Sequence, residues 1–474
     1  MSAKPRLVAG PASRVALGAL FVAVGLIVGR YSASESTRIL MLFGAAALVY
    51  LALFIWQPAA ALLGYIALRP MVDAFVYQGF RGFTLGVIWG LGMVVSACLF
   101  LMLESADKGQ KLRLSVVPVA FLFSLAVLTV TRPQLMTAVS GWTKVASWIL
   151  VMLACERISR DRRGQLMCWW TGIGMGAILV VSVAIMIHQN RFGAAFYGDP
   201  LHSVAGQLPH PLSVGAVLLL PFALAGALLV DRRALSLAIA TGLLAAIILS
   251  YVRTALIGGL IVLGGLLAVT AGRRGAARIV GLVVAVGVGL AVYEVRDRIA
   301  QRFTDLTLLS ASGAAQGGAG SGRLATWRAA INAAFDSVQH AIIGRGAGGS
   351  EQVMARALGI PNGAQNDFLD FLLAGGLLLG VCYLILLAWM ASSPIRMLRD
   401  GTQSSNAKSF AVLTLAAVAA FVVMSMLNGI ATYQPAVAAG LLVGLCRGMS
   451  STPGHTFLDE TGLLPPDRAW GTDQ

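Results

Sequence analysis

The sequence predicts an all-α integral membrane protein that crosses the bilayer about 12–14 times. Hydrophobic residues make up 58% of its 474 residues, and charged residues make up only 12%, about half the share in soluble domains. Mean hydropathy is +0.81. The apolar residues lie in repeated runs of about 16 to 22, each long enough to cross a hydrocarbon core of about 30 Å. These observations exclude a water-soluble globule, a disordered chain and an ordinary DNA-binding protein.

Apolar runs along the chain give the candidate spans in order. The third run is short and is interpreted as a half-span or as part of a bent helix that ends at Arg69–Pro70. The first begins near Arg14 without a small-residue cleavage site, which predicts a retained anchor rather than a removed signal peptide. The runs cover residues 15–30, 38–56, 58–70, 84–103, 114–131, 142–155, 166–187, 211–230, 235–250, 255–271, 278–294, 366–391, 409–427 and 434–447.

Basic clusters between the runs predict the orientation, because such clusters remain on the cytoplasmic side of a membrane. When the short third run is counted as a crossing, all six clusters fall on one face. The N-terminus and the C-terminus are then both predicted to be cytoplasmic. The clusters are Lys4/Arg6/Arg14, Lys108/Lys111/Arg113, Arg157/Arg160/Arg162/Arg163, Arg232/Arg233, Arg273/Arg274/Arg278 and Arg396/Arg399/Lys408.

The net charge of +15 comes from 35 basic and 20 acidic residues, and only five of the basic residues are lysines. One explanation is the base composition of a GC-rich genome; the other is that some of the arginines hold phosphates, which their planar forks fit well. The five cysteines form neither a CxxC pair nor a Cys/His cluster. Neither a disulfide framework nor a metal site is therefore predicted.

The predicted topology divides the chain into 1–294 (first transmembrane part), 295–365 (outer loop), 366–447 (last transmembrane helices) and 448–474 (cytoplasmic tail). The outer loop contains seven arginines, no lysine and four acidic residues. A basic loop on the outer face is permitted when it is long, and an anionic ligand would explain it.

The outer loop has three recognisable parts. The Gly/Ala/Ser run 310–322 should be mobile. From Ser321 onward, apolar residues recur at helical spacing and predict one amphipathic helix of about 17 residues, with Arg323 near its start. The glycine-rich stretch 344–349 then carries Arg345, and Ser350 is a candidate N-cap for a second short helix.

Two further parts of the sequence carry charged or titratable side chains at the predicted outer face of the bilayer. Arg253 lies between two apolar runs with almost no polar loop, where a guanidinium is costly. It either extends to the lipid headgroups or faces a cavity and pairs with a lipid-linked phosphate. The outer segment 188–210 carries His202, His210 and Arg191, residue types suited to acid–base chemistry or anion binding.

Four stretches in this order resemble the O-antigen ligase and polysaccharide polymerase superfamily. The first, residues 206–224, resembles a Gly-x-x-x-His-Pro-Asn entry into a span, with Leu212 in the Asn place. The second, residues 249–263, resembles a Ser-Arg-Gly/Thr-Ala turn. The third, residues 321–350, resembles a loop helix Gly-Arg-x-x-x-Trp followed by a Gly-x-Gly-x-Gly turn. The fourth, residues 363–380, resembles a His-Asn-x-x-Leu…Gly-x-x-Gly start of a span. They are GQLPHPLSVGAVLLLPFAL (206–224), LSYVRTALIGGLIVL (249–263), SGRLATWRAAI…HAIIGRGAGGS (321–350) and GAQNDFLDFLLAGGLLLG (363–380).

The resemblance implies a metal-independent membrane glycosyltransferase without a cofactor. Gln365 stands where ligases of the family carry a proposed catalytic His, and glutamine cannot take a proton. Either another residue fills that role, with Asp367, His210 and His202 as candidates, or positioning matters more than proton abstraction. The expected catalytic residues are Arg253, Asp367, His210 and Gln365, and the expected diphosphate- or substrate-binding residues are Arg191, Arg253, Arg323, Arg345, His202 and Asn366.

The implied reaction transfers a glycan from undecaprenyl diphosphate to an acceptor sugar at the outer face of the bacterial inner membrane. The implied partners are the lipid-linked donor, a glycan or lipid-linked acceptor, the bilayer, and a chain-length regulator or other assembly proteins, but no nucleic acid. The replaced His favours a polymerase of lipid-linked repeat units over an O-antigen ligase. A flippase or transporter is the alternative of another class, although it would not explain an Arg- and Gly-rich loop on one side only.

Overall fold

A computed structural model confirms the predicted fold class, an all-α protein with several apolar helices. Its one described sheet is a two-stranded antiparallel ribbon that pairs Gly79 with Thr84 and Phe80 with Phe83. Residues 48–64 belong to a unit of their own, and the site described below lies within Tyr65–Gln474. The structure describes residues 48–73, 79–80, 83–107, 115–130, 135–188, 210–229, 233–250, 252–270, 323–346, 348–358, 363–431 and 435–451.

Residues 48–56 are helical, and the following helices are numbered along the chain. They are α1 (Pro58–Ala67), α2 (Arg69–Asp73), α3 (Leu85–Asp107), α4 (Val116–Val130), α5 (Leu135–Ile158), α6 (Arg162–His188), α7 (His210–Leu229), α8 (Arg233–Leu249), α9 (Arg253–Thr270), α10 (Arg323–Ala334), α11 (Val338–Ile343), α12 (Gly349–Leu358), α13 (Asp367–Arg399), α14 (Ser405–Asn428) and α15 (Ala436–Ser450). The strands are β1 (Gly79–Phe80) and β2 (Phe83–Thr84).

Six of the described helices contain stretches long and apolar enough to cross a membrane: Gly86–Ala106, Ala138–Ile158, Arg162–Met186, Leu212–Leu229, Asp367–Arg399 and Ser405–Asn428. Five shorter apolar stretches are Pro58–Val72, Val116–Thr129, Arg233–Leu249, Thr254–Thr270 and Ala436–Ser450. Each corresponds to a predicted run. The short third run is helical in two pieces, with a turn at Leu68 between α1 and α2. The predicted spans 15–30 and 278–294, and most of 38–56, lie outside the described residues.

Close packing of α5 against α15 forms the centre of the bundle. A Cβ at Gly440 would lie 2.4 Å from the carbonyl oxygen of Trp148, and one at Gly444 would lie 2.5 Å from that of Met152. The two backbones can approach this closely only because these positions lack side chains. In a membrane, where water does not drive helices together, small residues at four-residue spacing provide such contacts.

Several helix ends meet at one end of the bundle, called here the site end. The starts of α5, α7, α9, α13 and α15 lie there, together with the ends of α6, α8 and α14. Three contacts illustrate this arrangement. The start of α13 bonds to the chain just after α14 (Asp367 to Ala431), α7 meets the start of α15 (Gly215 to Pro435), and the second turn of α9 meets the last turns of α14 (Gly258 to Met424).

The opposite end of the bundle contains a buried ion pair. Arg447 Nε donates to Glu156 Oε2 at 2.8 Å, and the guanidinium lies 3.6 Å from the centre of the Trp389 ring. These contacts join α5, α13 and α15. The predicted basic cluster that includes Arg157 and Arg160 lies at the same end of α5.

The predicted single amphipathic helix of the outer loop is two helices. α10 ends at Ala334 and α11 begins at Val338, because Ser337 adopts an extended backbone (φ −148°, ψ 155°) and accepts a hydrogen bond from the His340 amide. Serine in such a position caps a new helix rather than continuing the old one. α10 and α12 pack on α13 through a small apolar cluster of Ala330, Ala334, Met354, Ala364 and Leu373.

A break within α13 fixes these loop helices in place. Gly376 has φ 65° and ψ −162°, which interrupts the helical hydrogen bonds after Ala374. The amides of Arg345 and Gly346 donate to the carbonyls of Leu373 and Ala374, at 2.6 and 2.7 Å. The loop therefore satisfies backbone groups that the break would otherwise leave unpaired.

We predict that Gly376→Ala detaches the loop helices from the bundle. A Cβ there would lie 2.3 Å from the carbonyl oxygen of Ile342, and the positive φ adds strain. The variant should show faster limited proteolysis within 323–358 and a lower melting temperature in detergent. Gly380→Ala is the matched control, since its Cβ would meet only Leu372 at 3.9 Å. Equal proteolysis of the two variants would contradict this account of the break.

Candidate functional site

A strained turn leads into α13 at the site end. Gln365 has φ 54° and is the one non-glycine residue with positive φ among the described residues. Such a backbone is uncommon for glutamine and is found where surrounding contacts enforce it. The next residue, Asn366, caps the helix, because its Oδ1 accepts from the amides of Phe368 and Leu369 at 3.0 and 3.2 Å. The sequence motif Gln-Asn-Asp thus forms a rigid corner.

Asp367 connects this corner to the segment after α14. Its side chain is 0% exposed, and Oδ2 accepts from the Ala431 amide at 2.7 Å. The Ala431 carbonyl in turn accepts from Trp148 Nε1 at 3.1 Å, which adds α5 to the same junction. Asp367 Oδ1 has no hydrogen-bond partner within the described part of the chain. Its complete burial suits a residue that holds three segments together.

Asp370, which the sequence analysis did not single out, ties the loop helices to α13. Its Oδ1 accepts from the Ala364 amide at 2.7 Å and from the Ser350 hydroxyl. The predicted N-cap role of Ser350 is wrong, because α12 already begins at Gly349 and the Ser350 hydroxyl points to Asp370 instead. Trp327 Nε1 donates to the Ala364 carbonyl at 3.1 Å, so α10 is anchored to the same turn.

A polar cleft of about 220 Å³ lies between α11 and α12. Its lining is dominated by side chains that bind anions or hydroxyls, and Arg356 is exposed within it. A cleft with this chemistry fits hydroxyl-rich or negatively charged groups better than an apolar ligand. The lining residues are Gln339, His340, Gly344, Arg345, Gly349, Gln352, Val353 and Arg356.

The predicted site residue Arg345 is held by neighbouring groups at the edge of this cleft. Its Nε donates to the Ala333 carbonyl at 3.1 Å, and its Nη2 pairs with Asp336. His340 Nδ1 lies 2.6 Å from Asp336 Oδ1. The hydrogen bond with His340, together with the charge of Arg345, keeps the pKa of Asp336 below its usual value. Arg345 is therefore positioned, with part of its donor capacity already used.

The other predicted residues fall into two groups. Arg191 and His202 lie outside the described residues. His210, Arg253 and Arg323 begin α7, α9 and α10, respectively, and the first two of these helix starts lie at the site end with Gln365, Asn366 and Asp367. Helix starts favour anions, because their free amides and the helix dipole point toward a ligand.

Lys144 is a charged residue within a span that the sequence analysis did not single out. It lies in the predicted run 142–155 of α5, where the mean hydropathy of the run stays high despite this single charged residue. The rule that singled out Arg253 would also have identified it, because any charge within a span is costly and suggests function. Lys144 lies within electrostatic range of Glu351 on α12 and of Arg69 on α2.

The described residues contain no group of three or more His, Cys, Asp and Glu side chains that could hold a metal ion. What the site end offers is a set of arginine and lysine positions, helix starts, amide side chains and a polar cleft. Such groups can bind and orient anionic and hydroxylated substrates by charge and hydrogen bonding.

Comparison with known proteins identifies the region that contains this arrangement. A family model described as O-antigen ligase matches residues 237–384, from α8 to the middle of α13. The match includes Arg253, the loop helices and the Gln365–Asp367 corner, and it confirms the resemblance noted in the sequence. A search of curated proteins finds no match to the chain. Over residues 237–384 the chain is therefore similar to the O-antigen ligase family.

Proposed function

We propose that the protein polymerises undecaprenyl-diphosphate-linked oligosaccharide units into surface polysaccharide at the outer face of the bacterial inner membrane. The family implies ligase or polymerase activity on lipid-linked glycans in a membrane. The observation that supports the proposal most directly is the convergence at the site end. The α9 start at Arg253, the strained Gln365–Asp367 corner and the polar cleft of the loop helices all lie in the region that the family model matches.

The chemistry of the proposed reaction requires stabilisation of a leaving diphosphate. A hydroxyl oxygen of the acceptor sugar attacks the anomeric carbon of the donor glycan. The bond from that carbon to the diphosphate oxygen breaks, and the diphosphate departs with the electron pair while the hydroxyl loses its proton. Cations that are already in place lower the energy of the developing negative charge. Arg253 has this role in our proposal, and Arg191 and Arg323 supply further positive charge.

The acceptor side is assigned to the loop helices. The cleft lined by Gln339, Gln352 and Arg356 offers amide and guanidinium groups at hydrogen-bonding positions for a saccharide. Because Gln365 cannot take a proton and Asp367 is fully buried, we assign both to positioning. His210 and His202 are the proposed groups for proton transfer, since histidine titrates near neutral pH.

We expect Arg253→Ala to lower glycan transfer by about 100-fold or more, as the loss of one preorganised charge-stabilising donor does in other enzymes. The measurement is polymer formation by purified protein, with membrane insertion checked by fluorescence-detected gel filtration. Arg233→Ala is the matched control, because Arg233 also begins a helix but at the opposite end of the bundle. Wild-type transfer by a correctly inserted Arg253→Ala variant would rule out the leaving-group role.

Asp367→Asn separates positioning from proton transfer at that carboxylate. An amide oxygen can still accept from the Ala431 amide, so a positioning role predicts transfer within about tenfold of wild type and an unchanged pH–rate profile. Asp367→Ala should instead lower both transfer and melting temperature. If Asp367→Asn abolished transfer at wild-type melting temperature, Asp367 would be the proton acceptor and the positioning assignment would fail.

A deletion strain distinguishes the polymerase from the alternatives. We expect a gel of its surface polysaccharide to show products with a single repeat unit, because lipid-linked units would still be made and exported but not joined. Long lipid-linked chains without attachment would indicate an O-antigen ligase. Glycan trapped on the cytoplasmic face would indicate a flippase. Either of these two results would overturn the polymerase proposal.

A further inference from the structure

The end of α10 and the whole of α11 expose an apolar surface, called here the loop patch. Its members are large side chains that are between 46% and 77% exposed. Within each helix, members four residues apart share one face. A cluster of exposed apolar side chains marks an interaction surface, whereas a single one does not. The members are Ile331, Phe335, Val338, Ile342 and Ile343.

The loop patch lies beside the lipid-facing surface of α13. A Cβ at Gly376 would lie 2.3 Å from the carbonyl oxygen of Ile342 and 2.6 Å from the amide nitrogen of Ile343, so the end of α11 rests on the break in α13. Directly after the break, Leu377 and Leu378 are exposed. They belong to a helix long and apolar enough to cross a membrane, and exposed apolar side chains on such a helix face lipid. The loop patch therefore continues a surface that contacts hydrocarbon.

The position of the break along α13 gives the depth of the loop patch. Asp370 is the last charged residue before the break, and the stretch 371–391 that follows it has no charged residue. That stretch is about 21 residues long, which matches the roughly 20 that cross the hydrocarbon core. Gly376 lies in the second turn of the stretch. Because α11 contacts Gly376, it lies on the hydrocarbon side of the membrane boundary.

The polar side chains at the edge of the loop patch are paired with protein groups. His340 Nδ1 lies 2.6 Å from Asp336 Oδ1, and Arg345 pairs with Asp336 while its Nε donates to the Ala333 carbonyl at 3.1 Å. Such pairing suits a membrane boundary, because hydrocarbon offers no water to satisfy polar groups. Gln339 and His340 line the polar cleft. α11 thus has an apolar and a polar side, as helices that lie in a membrane interface do.

The composition of the loop patch favours lipid over a second copy of the protein. Helix interfaces inside membranes use small residues that allow close approach, as Gly440 and Gly444 do between α5 and α15. The loop patch instead has branched and aromatic side chains. These bury apolar area against fluid acyl chains, which need no complementary shape.

We infer that the loop patch is immersed in the hydrocarbon of the leaflet at the site end and holds α11 there as an interfacial helix. The polar cleft on the other side of α11 then opens at the level of the lipid headgroups. The first sugars of a lipid-linked glycan lie at this level. The contact with lipid does not depend on the proposed function, and it can be tested without a glycan.

Spin labels on single cysteines measure the contact, because oxygen enters hydrocarbon and a water-soluble nickel chelate does not. The full-length protein, with its five cysteines replaced by alanine, is placed in lipid nanodiscs and labelled at Val338→Cys or Ile342→Cys. We expect a ratio of oxygen to nickel collisions close to that at Leu378→Cys, on the exposed side of α13. Ala355→Cys, exposed on α12 beside Arg356, is the matched control and should give a low ratio.

A second measurement leaves the native cysteines in place. Benzoylphenylalanine in place of Val338 should cross-link to phospholipid acyl chains when the protein is illuminated in nanodiscs. Val338 is 77% exposed, so the larger side chain fits there without disturbing the fold. This cross-link decides the question if the cysteine-free protein does not fold, as judged by gel filtration.

Three outcomes would overturn the inference. A ratio at both α11 positions as low as that at Ala355→Cys would place the loop patch in water. Few collisions with either reagent would show that protein covers the patch, and a cross-link from position 338 to a second copy would identify that protein. Lipid contact in a protein that forms no polysaccharide would support the inference and refute only the proposed function.

Discussion

Backbone hydrogen bonding across the break in α13 is the constraint on which the site depends. A span interrupted at Gly375–Gly376 exposes carbonyl groups, and a hydrocarbon environment offers no water to satisfy them. The amides of Arg345 and Gly346 donate hydrogen bonds to these carbonyls, so the loop satisfies backbone groups of the helix that it covers. An irregular backbone at this depth is tolerated because protein covers it.

The break divides α13 into two pieces that make different contacts. The piece before the break carries Asp367 and Asp370, which bind the segment after α14 and the turn before α13, respectively. The piece after the break packs along α14 through the Tyr383 and Ser425 hydroxyls, 3.0 Å apart. The carboxylates thus fix the corner at Gln365, while the long apolar piece holds the whole assembly in the membrane.

Hydropathy and charge predicted the spans well because each is a local property of the chain. The predicted run 211–230 corresponds to the observed span Leu212–Leu229, and the two runs that flank Arg253 correspond to α8 and α9. The loop was harder to predict, since helical spacing continues through 335–337 while Ser337 begins a new helix. A sequence period cannot reveal that break, because it depends on one side chain capping the next helix.

Tertiary partners account for what sequence reasoning missed at the site. Ser350 has the composition of an N-cap, but its hydroxyl binds Asp370, twenty residues away, because packing of α12 on α13 brings them together. Lys144 was hidden for a different reason, since an average over an apolar run gives one charge little weight. The case of Lys144 favours examining each polar residue within a span separately, before the run is averaged.

The burial of Asp367 bears on how the proposed glycan transfer could proceed with glutamine in the place of histidine. A carboxylate enclosed on all sides and bound to the Ala431 amide is suited to holding a shape. Because diphosphate is a good leaving group, the bond to it can break ahead of attack, and the attacking hydroxyl then needs less help from a strong base. Fixed cations can therefore supply much of the rate acceleration. In the proposed reaction, a rigid Gln365 corner would contribute by orienting the acceptor toward the donor carbon, which lowers the entropic part of the barrier.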